Sequence, residues 1–287
     1  MKLWKTGMGC GVLCAAMVFA AQAGWSEDAA AKLKVMPLPR SVVVGQGEWK
    51  LDGRFHAGFA GSQHDVRMDV ALDRFLVRLD RKCGEIRRAQ QAPLTGQPTL
   101  TLQVAVPGGV VQGLDEDESY KLNVTSSGAT LTTATDVGAM HGLETLLQLV
   151  EMRGDGCSVP AVAIDDAPRF AWRGFQLDVV RHFEPVSVIE RMLDGMAVAK
   201  LNVFHWHLSD DQGFCAESKK YPRLTEVASN GQFYTQDEMR HVVEYARARG
   251  IRVMPEFDVP GHTASWVHAY PEIGDGRTVN RVPQLYE

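Results

Sequence analysis

No run of about 20 apolar residues, the length a membrane-spanning helix requires, occurs in this sequence. The longest apolar stretch, from Met8 to Ala20, is shorter and broken by glycine. Basic runs are absent too. With 30 Lys and Arg against 35 Asp and Glu, and a formal net charge of -5, the chain has no clustered cations to grip a phosphate backbone, so nucleic acid is not an expected partner. No Gly-rich turn of the kind that cradles a dinucleotide follows a strand. Cysteine is scarce, five residues in 287. What is present, 45% hydrophobic and 23% charged side chains, is the composition of a globular chain long enough for about two domains.

The N-terminus reads as an export signal. Lys2 and Lys5 precede the apolar stretch, and Ala21-Gln22-Ala23 supplies small residues before Gly24, as a signal peptidase requires. The mature protein is therefore expected to start near Gly24 and to reside in the periplasm or outside the cell. Cys14 is a poor lipid-anchor site, because Leu13 rather than a small residue precedes it. Losing residues 1–23 removes two Lys and no acid, taking the formal charge from -5 to -7. Cys83, Cys157 and Cys215 remain, and the sequence does not choose between one bridge with a free thiol and three buried thiols.

Residues 24–165 read as an α+β domain. Leu100, Leu102, Val104 and Val106 alternate as in a half-buried strand. Tyr120–Val124 and Ala129–Thr133 flank the turn residues Ser126-Ser127-Gly128 as a hairpin. Leu72, Phe75, Leu76 and Leu79 recur at helical spacing, and a second helix is expected over Val137–Val150. No nucleophile, metal or phosphate pattern occurs in this block.

From residue 166 to 287 strands and helices alternate. Gly174–Val180, Leu201–Leu208 and Ile251–Phe257 read as strands. Between them lie a helix opened by Pro185, with the stripe Ile189, Met192, Leu193 and Met196, and a helix opened by the capping box Thr235/Glu238, with Met239, Val242, Val243 and Ala246 and a stop at Gly250. The order implies a parallel sheet, doubly wound or part of a (β/α)8 barrel. Arg181-His182, Ser209-Asp210-Asp211 and Asp258 to His262 all fall at the C-terminal ends of strands, where barrel enzymes build their sites. The expected fold is thus α/β: an N-terminal α+β domain followed by the first three βα units of a TIM barrel, incomplete within these residues.

Three segments carry a resemblance: Asp178-Val179-Val180-Arg181-His182-Phe183, then Lys200-Leu201-Asn202-Val203-Phe204-His205-Trp206-His207-Leu208-Ser209-Asp210-Asp211, then Pro255-Glu256-Phe257-Asp258-Val259-Pro260-Gly261-His262. In this order and spacing they resemble the β-N-acetylhexosaminidases of glycoside hydrolase family 20. The resemblance implies removal of terminal N-acetylhexosamine from an oligosaccharide or glycan, without cofactor or metal. It also implies a substrate-assisted retaining mechanism, in which the sugar's own acetamide attacks the anomeric carbon. An adjacent Asp-Glu pair then orients the acetamide and protonates the leaving oxygen. That pair, in a His-x-Gly-Gly-Asp-Glu motif, is missing from residues 1–287; Asp115-Glu116 lies in a charged loop and Asp237-Glu238 in a helix cap. The chain is expected to be part of a longer product, inactive alone.

Carried over residue by residue, Arg181 matches the arginine that holds the ring hydroxyls O3 and O4, a task suited to a planar guanidinium. Asp210 and His262 match a relay behind the catalytic Glu. Asp258 matches an aspartate expected to orient Arg181, and Asp211 is a further substrate-side candidate; Asp178 and Glu256 are weaker ones. Trp206 and Trp266 read as core rather than sugar-stacking rings. Two other readings start from the same residues. His205 and His207, on one face of a strand with Asp210 behind, suit a metal-dependent barrel hydrolase. The missing carboxylates suit a non-catalytic sugar-binding protein, which three barrel strands with open edges would not make stable.

Overall fold

The computed structural model describes residues 33–60, 65–84, 99–276 and 279; the expected export signal lies outside them. The elements in order are β1 (Ser41–Leu51), β2 (Ala57–Phe59), α1 (Val66–Cys83), β3 (Leu100–Val104), β4 (Tyr120–Thr125), β5 (Gly128–Thr133), α2 (Asp136–Leu149), β6 (Glu151–Arg153) and β7 (Gly156–Asp166). There follow β8 (Gly174–Asp178), α3 (Val186–Val198), β9 (Val203–His207), β10 (Ser209–Asp210), β11 (Gly213–Phe214), α4 (Arg223–Glu226), α5 (Gln236–Arg247), β12 (Arg252–Glu256) and α6 (Ala264–Ala269).

Strands β1 to β7 form one mixed sheet, ordered β1-β7-β4-β5-β3-β2 with β6 beside β7. In β4 the residues alternate buried and exposed along its whole length, and the two-residue turn Ser126-Ser127 pairs it with β5. The alternation of β3 ends at Val104; Val106 lies beyond the strand and is exposed, contrary to the sequence reading. Helix α1 opens on Asp65, whose carboxylate accepts from the Met68 amide, and buries Phe75 and Leu79. Helix α2 is buried nearly all round, because it packs on the sheet and α1 and also touches α3. A Cys83–Cys157 disulfide ties the end of α1 to β7.

The second sheet holds β8, β9 and β12, all parallel, with β9 central. Pro185 caps α3, which buries Ile189, Leu193 and Met196. The Thr235/Glu238 capping box opens α5, whereas Val243 faces solvent instead of joining the stripe. Phe204, Trp206 and Tyr234 stack into the core of this half, with ring centroids 5.7 and 4.7 Å apart. Trp266 packs edge-on against Phe214. The Cys215 thiol is buried here and unpaired; burial, and then the charge of Asp178, push it up to about 12.

The halves meet through polar groups at the N-terminal ends of β8 and β9. Lys200, in the left-handed region at φ 57°, donates from Nζ to Tyr120 Oη at 2.8 Å, Thr145 Oγ1 at 2.7 Å and Asp166 Oδ2 at 3.3 Å. Glu118 pairs with Arg173 and accepts from Asn202 Nδ2 at 2.8 Å. The opposite ends of the strands stay free for the site.

Candidate active site

Register lines up the ends of the three parallel strands: Asp178 on β8 opposes His207 on β9, and His207 opposes Glu256 on β12. Just past β8 the chain turns back because the Asp178 carboxylate accepts the amides of Val180 and Arg181, at 3.0 and 3.1 Å. The same carboxylate holds Arg181 Nε at 2.6 Å. The far edge of the guanidinium, Nη1, pairs with Asp210 Oδ2 and lies 3.2 Å from His207 Nε2. Arg181 thus stands over the strand ends, its side chain 37% exposed and its face set by two carboxylates.

Asp210 is buried, its position fixed by the β10–β11 hairpin. Its Oδ1 accepts the Asp211 amide at 2.6 Å and faces His262 Nδ1 at 3.1 Å. Ser265 Oγ donates to the Asp210 carbonyl at 2.5 Å. The structure therefore brings Asp210 and His262 into direct contact across 52 residues. His262 has φ 55°, a conformation that costs about 1–3 kcal/mol for a residue other than glycine, and its ring stays 57% exposed. Asp211 is set back. Its Oδ1 accepts the Ala264 amide at 3.0 Å at the start of α6, and its Oδ2 lies 3.6 Å from His262.

Asp258 differs from the sequence reading. No hydrogen bond or ion pair links it to Arg181, whose carboxylate partners are Asp178 and Asp210. Asp258 instead lies beside His207 and Glu256, its ligand atoms within 4.8 Å of theirs. The reason is geometric: it follows β12, separated from Arg181 beyond β8 by the whole width of the sheet. Glu256 Oε2 gathers His207 Nδ1 at 2.9 Å, His205 Nε2 at 2.6 Å and Gln176 Nε2 at 3.3 Å. Burial pushes this carboxyl up, but the His207 hydrogen bond, the two imidazoles and the neighbouring Asp258 outweigh it and leave it below the usual carboxylate range.

Two groups of donors among the described residues are close enough to hold a metal ion, His207 with Glu256 and Asp258, and Asp210 with Asp211 and His262. His205 belongs to neither group, although its Nε2 lies 2.6 Å from Glu256 Oε2. Of the adjacent Asp-Glu pairs, Glu238 is spent on the Thr235 cap. Glu116 sits in the α+β half, raised by burial. A third pair, Asp117-Glu118, shares that loop, with Glu118 bound to Arg173. None reaches the strand ends. Sequence reasoning passed over Ser265, for which no motif exists, and undervalued His207 and Glu256, which the strand register would have paired.

Residues 170–286 match the description "Glycosyl hydrolase family 20, catalytic domain", and residues 32–167 match "Glycosyl hydrolase family 20, domain 2". The chain belongs to glycosyl hydrolase family 20. Among its relatives, the beta-hexosaminidase of Vibrio furnissii is 35% identical over 85% of this chain and 40% of its own length. Beta-hexosaminidase 3 of Arabidopsis thaliana is 35% identical over 92% of this chain and 52% of its own. Of solved structures, the Flavobacterium johnsoniae chitobiase superposes with a TM-score of 0.79 at 44% identity, over 84% of this chain and 37% of that one. The Streptomyces plicatus N-acetyl-beta-hexosaminidase in complex with Thio-NAglucal gives 0.72 at 31%, over 88% and 51%. The chain spans about half or less of the length of these relatives.

Proposed function

We propose that the protein is an exported, exo-acting β-N-acetylhexosaminidase that cuts terminal non-reducing N-acetylhexosamine by a substrate-assisted retaining route, and that residues 166–287 form the first part of a (β/α)8 barrel. The observation that carries this reading is the meeting of Arg181, Asp210 and His262 above three parallel strand ends, in a chain of this family. Arg181 grips the ring hydroxyls, and the Asp178 and Asp210 carboxylates hold its planar donor fork for that purpose. Asp210 and His262 support the acid that protonates the leaving oxygen. Asp211 and Asp258 line the same face. Among the described residues no adjacent Asp-Glu pair stands at the strand ends, and residues 1–287 are expected to bind sugar without turning it over.

The test is hydrolysis of an aryl β-N-acetylglucosaminide by the product of the full open reading frame and by residues 24–287. Turnover is expected in the first only, since the acid group alone contributes about 10²–10⁴-fold. Equal turnover by both would place the acid within these residues and overturn the assignment of roles.

A further inference from the structure

Asp210 faces two ways. Oδ1 serves the relay, holding the Asp211 amide and His262; Oδ2 serves the clamp, holding Arg181 Nη1 with His207 Nε2 at 3.0 Å. His207 is buried, its side chain 4% exposed, and the other side of its ring reaches Glu256 on the neighbouring strand. Arg181 Nη1 and His207 Nε2 converge on one oxygen, 3.2 Å apart. The ring therefore braces that oxygen, and the guanidinium attached to it, against β12.

We propose that His207 is a positioning residue that locks Asp210 and Arg181 to the end of β12, so that the sugar clamp and the relay hold or slip together. The proposal rests on the hexosaminidase reading for what Arg181 grips. Its chemistry is a matter of reach. A five-membered ring with nitrogens on both sides spans the gap from Glu256 Oε2 to Asp210 Oδ2, at 2.9 and 3.0 Å. The Asn amide is placed like Nδ1 and serves Glu256; the Gln amide is placed like Nε2 and serves Asp210. Neither serves both. Glu256, the remote anchor, has a side chain 28% exposed, and a leucine there removes the acceptor at a similar chain length.

The experiment uses the product of the full open reading frame, with His207→Asn, His207→Gln and Glu256→Leu. The first readout is the ratio of kcat/KM for 4-nitrophenyl N-acetyl-β-glucosaminide to that for its 4-deoxy analogue, which isolates the grip on O4. That ratio is expected to fall at least about tenfold in each variant, the size of a lost hydrogen bond to a charged group. The second readout needs no turnover: solvent exchange of the Arg181 Nε–H by nitrogen-15 NMR, assigned by its loss in Arg181→Lys, is expected to quicken. Glu256→Leu, which removes the acceptor for His207, keeps the test decisive if the His207 variants do not fold. Unchanged 4-hydroxyl discrimination and unchanged exchange in Glu256→Leu would overturn the proposal. If the parent cleaves neither substrate, the hexosaminidase reading fails, and the exchange rates alone decide whether His207 positions Arg181.

Discussion

Arg181, a rigid planar fork held at Nε by Asp178 and at Nη1 by Asp210, keeps its side chain 37% exposed. A lysine in its place keeps the charge but not the fork. Arg181→Lys in the full-length protein is expected to lower kcat/KM by at least about tenfold with the melting temperature retained; a near-parental kcat/KM would make the arginine structural. For the relay, Asp210→Asn and His262→Phe are expected to cost together less than the sum of the single losses, because the residues act as one unit. Additive losses would separate them. A fourth residue contributes to the acid dependence of stability. Burial first, then the charges of Lys200 and Arg173, push His141 down to about 3. Below its ordinary value of 6.5 the unfolded chain takes up a proton that the folded one refuses, so stability falls as pH drops from 6.5 toward 3, at up to about 1.4 kcal/mol per pH unit. Denaturation midpoints across that range, in parent and His141→Gln, check it: the variant should lose this part of the slope.

Elements with a partner in the local pattern were legible. The capping box of α5, the proline opening α3, the hairpin of β4 and β5 and the three parallel strands all announce themselves within a few residues, because their signals are turns, caps and one-sided burial. Elements without such signals were not. The β10–β11 hairpin has two residues per strand, too few for any period, yet it sets the position of Asp210. Helix α2, by contrast, was read over Val137–Val150 and runs over Asp136–Leu149, although it shows little periodicity because nearly every side is covered. Val106 and Val243 show the converse, an apolar residue continuing a pattern past the surface that needs it. The site was legible through its three segments as far as Arg181, Asp210 and His262; the partner of Asp258 was not, since it depends on which strand lies beside which. At this scale Gly250 offers a clean test. Its φ is +71° and a Cβ there would lie 3.0 Å from Val137 Cγ1, so Gly250→Ala should cost about 1 kcal/mol or more, read as a shift in denaturant midpoint.

At the scale of the whole molecule, the described residues hold one covalent tie, in the first half. Cys83 and Cys157 are 74 residues apart, and replacing both with serine is expected to cost about 2–5 kcal/mol, lowering the melting temperature of the first sheet. A shift confined to the second sheet would contradict this. The polar junction between the halves has a direction along the chain. Glu118, Tyr120, Thr145 and Asp166 are all synthesised before Arg173, Lys200 and Asn202, which bond to them. As the polypeptide emerges from the ribosome, domains fold in N-to-C order, so the first sheet can close with its acceptors in place before β8 and β9 exist. It then acts as a template: the loops entering those two strands find their bonding partners already set, and a slow-forming parallel sheet starts from a fixed edge instead of a free search.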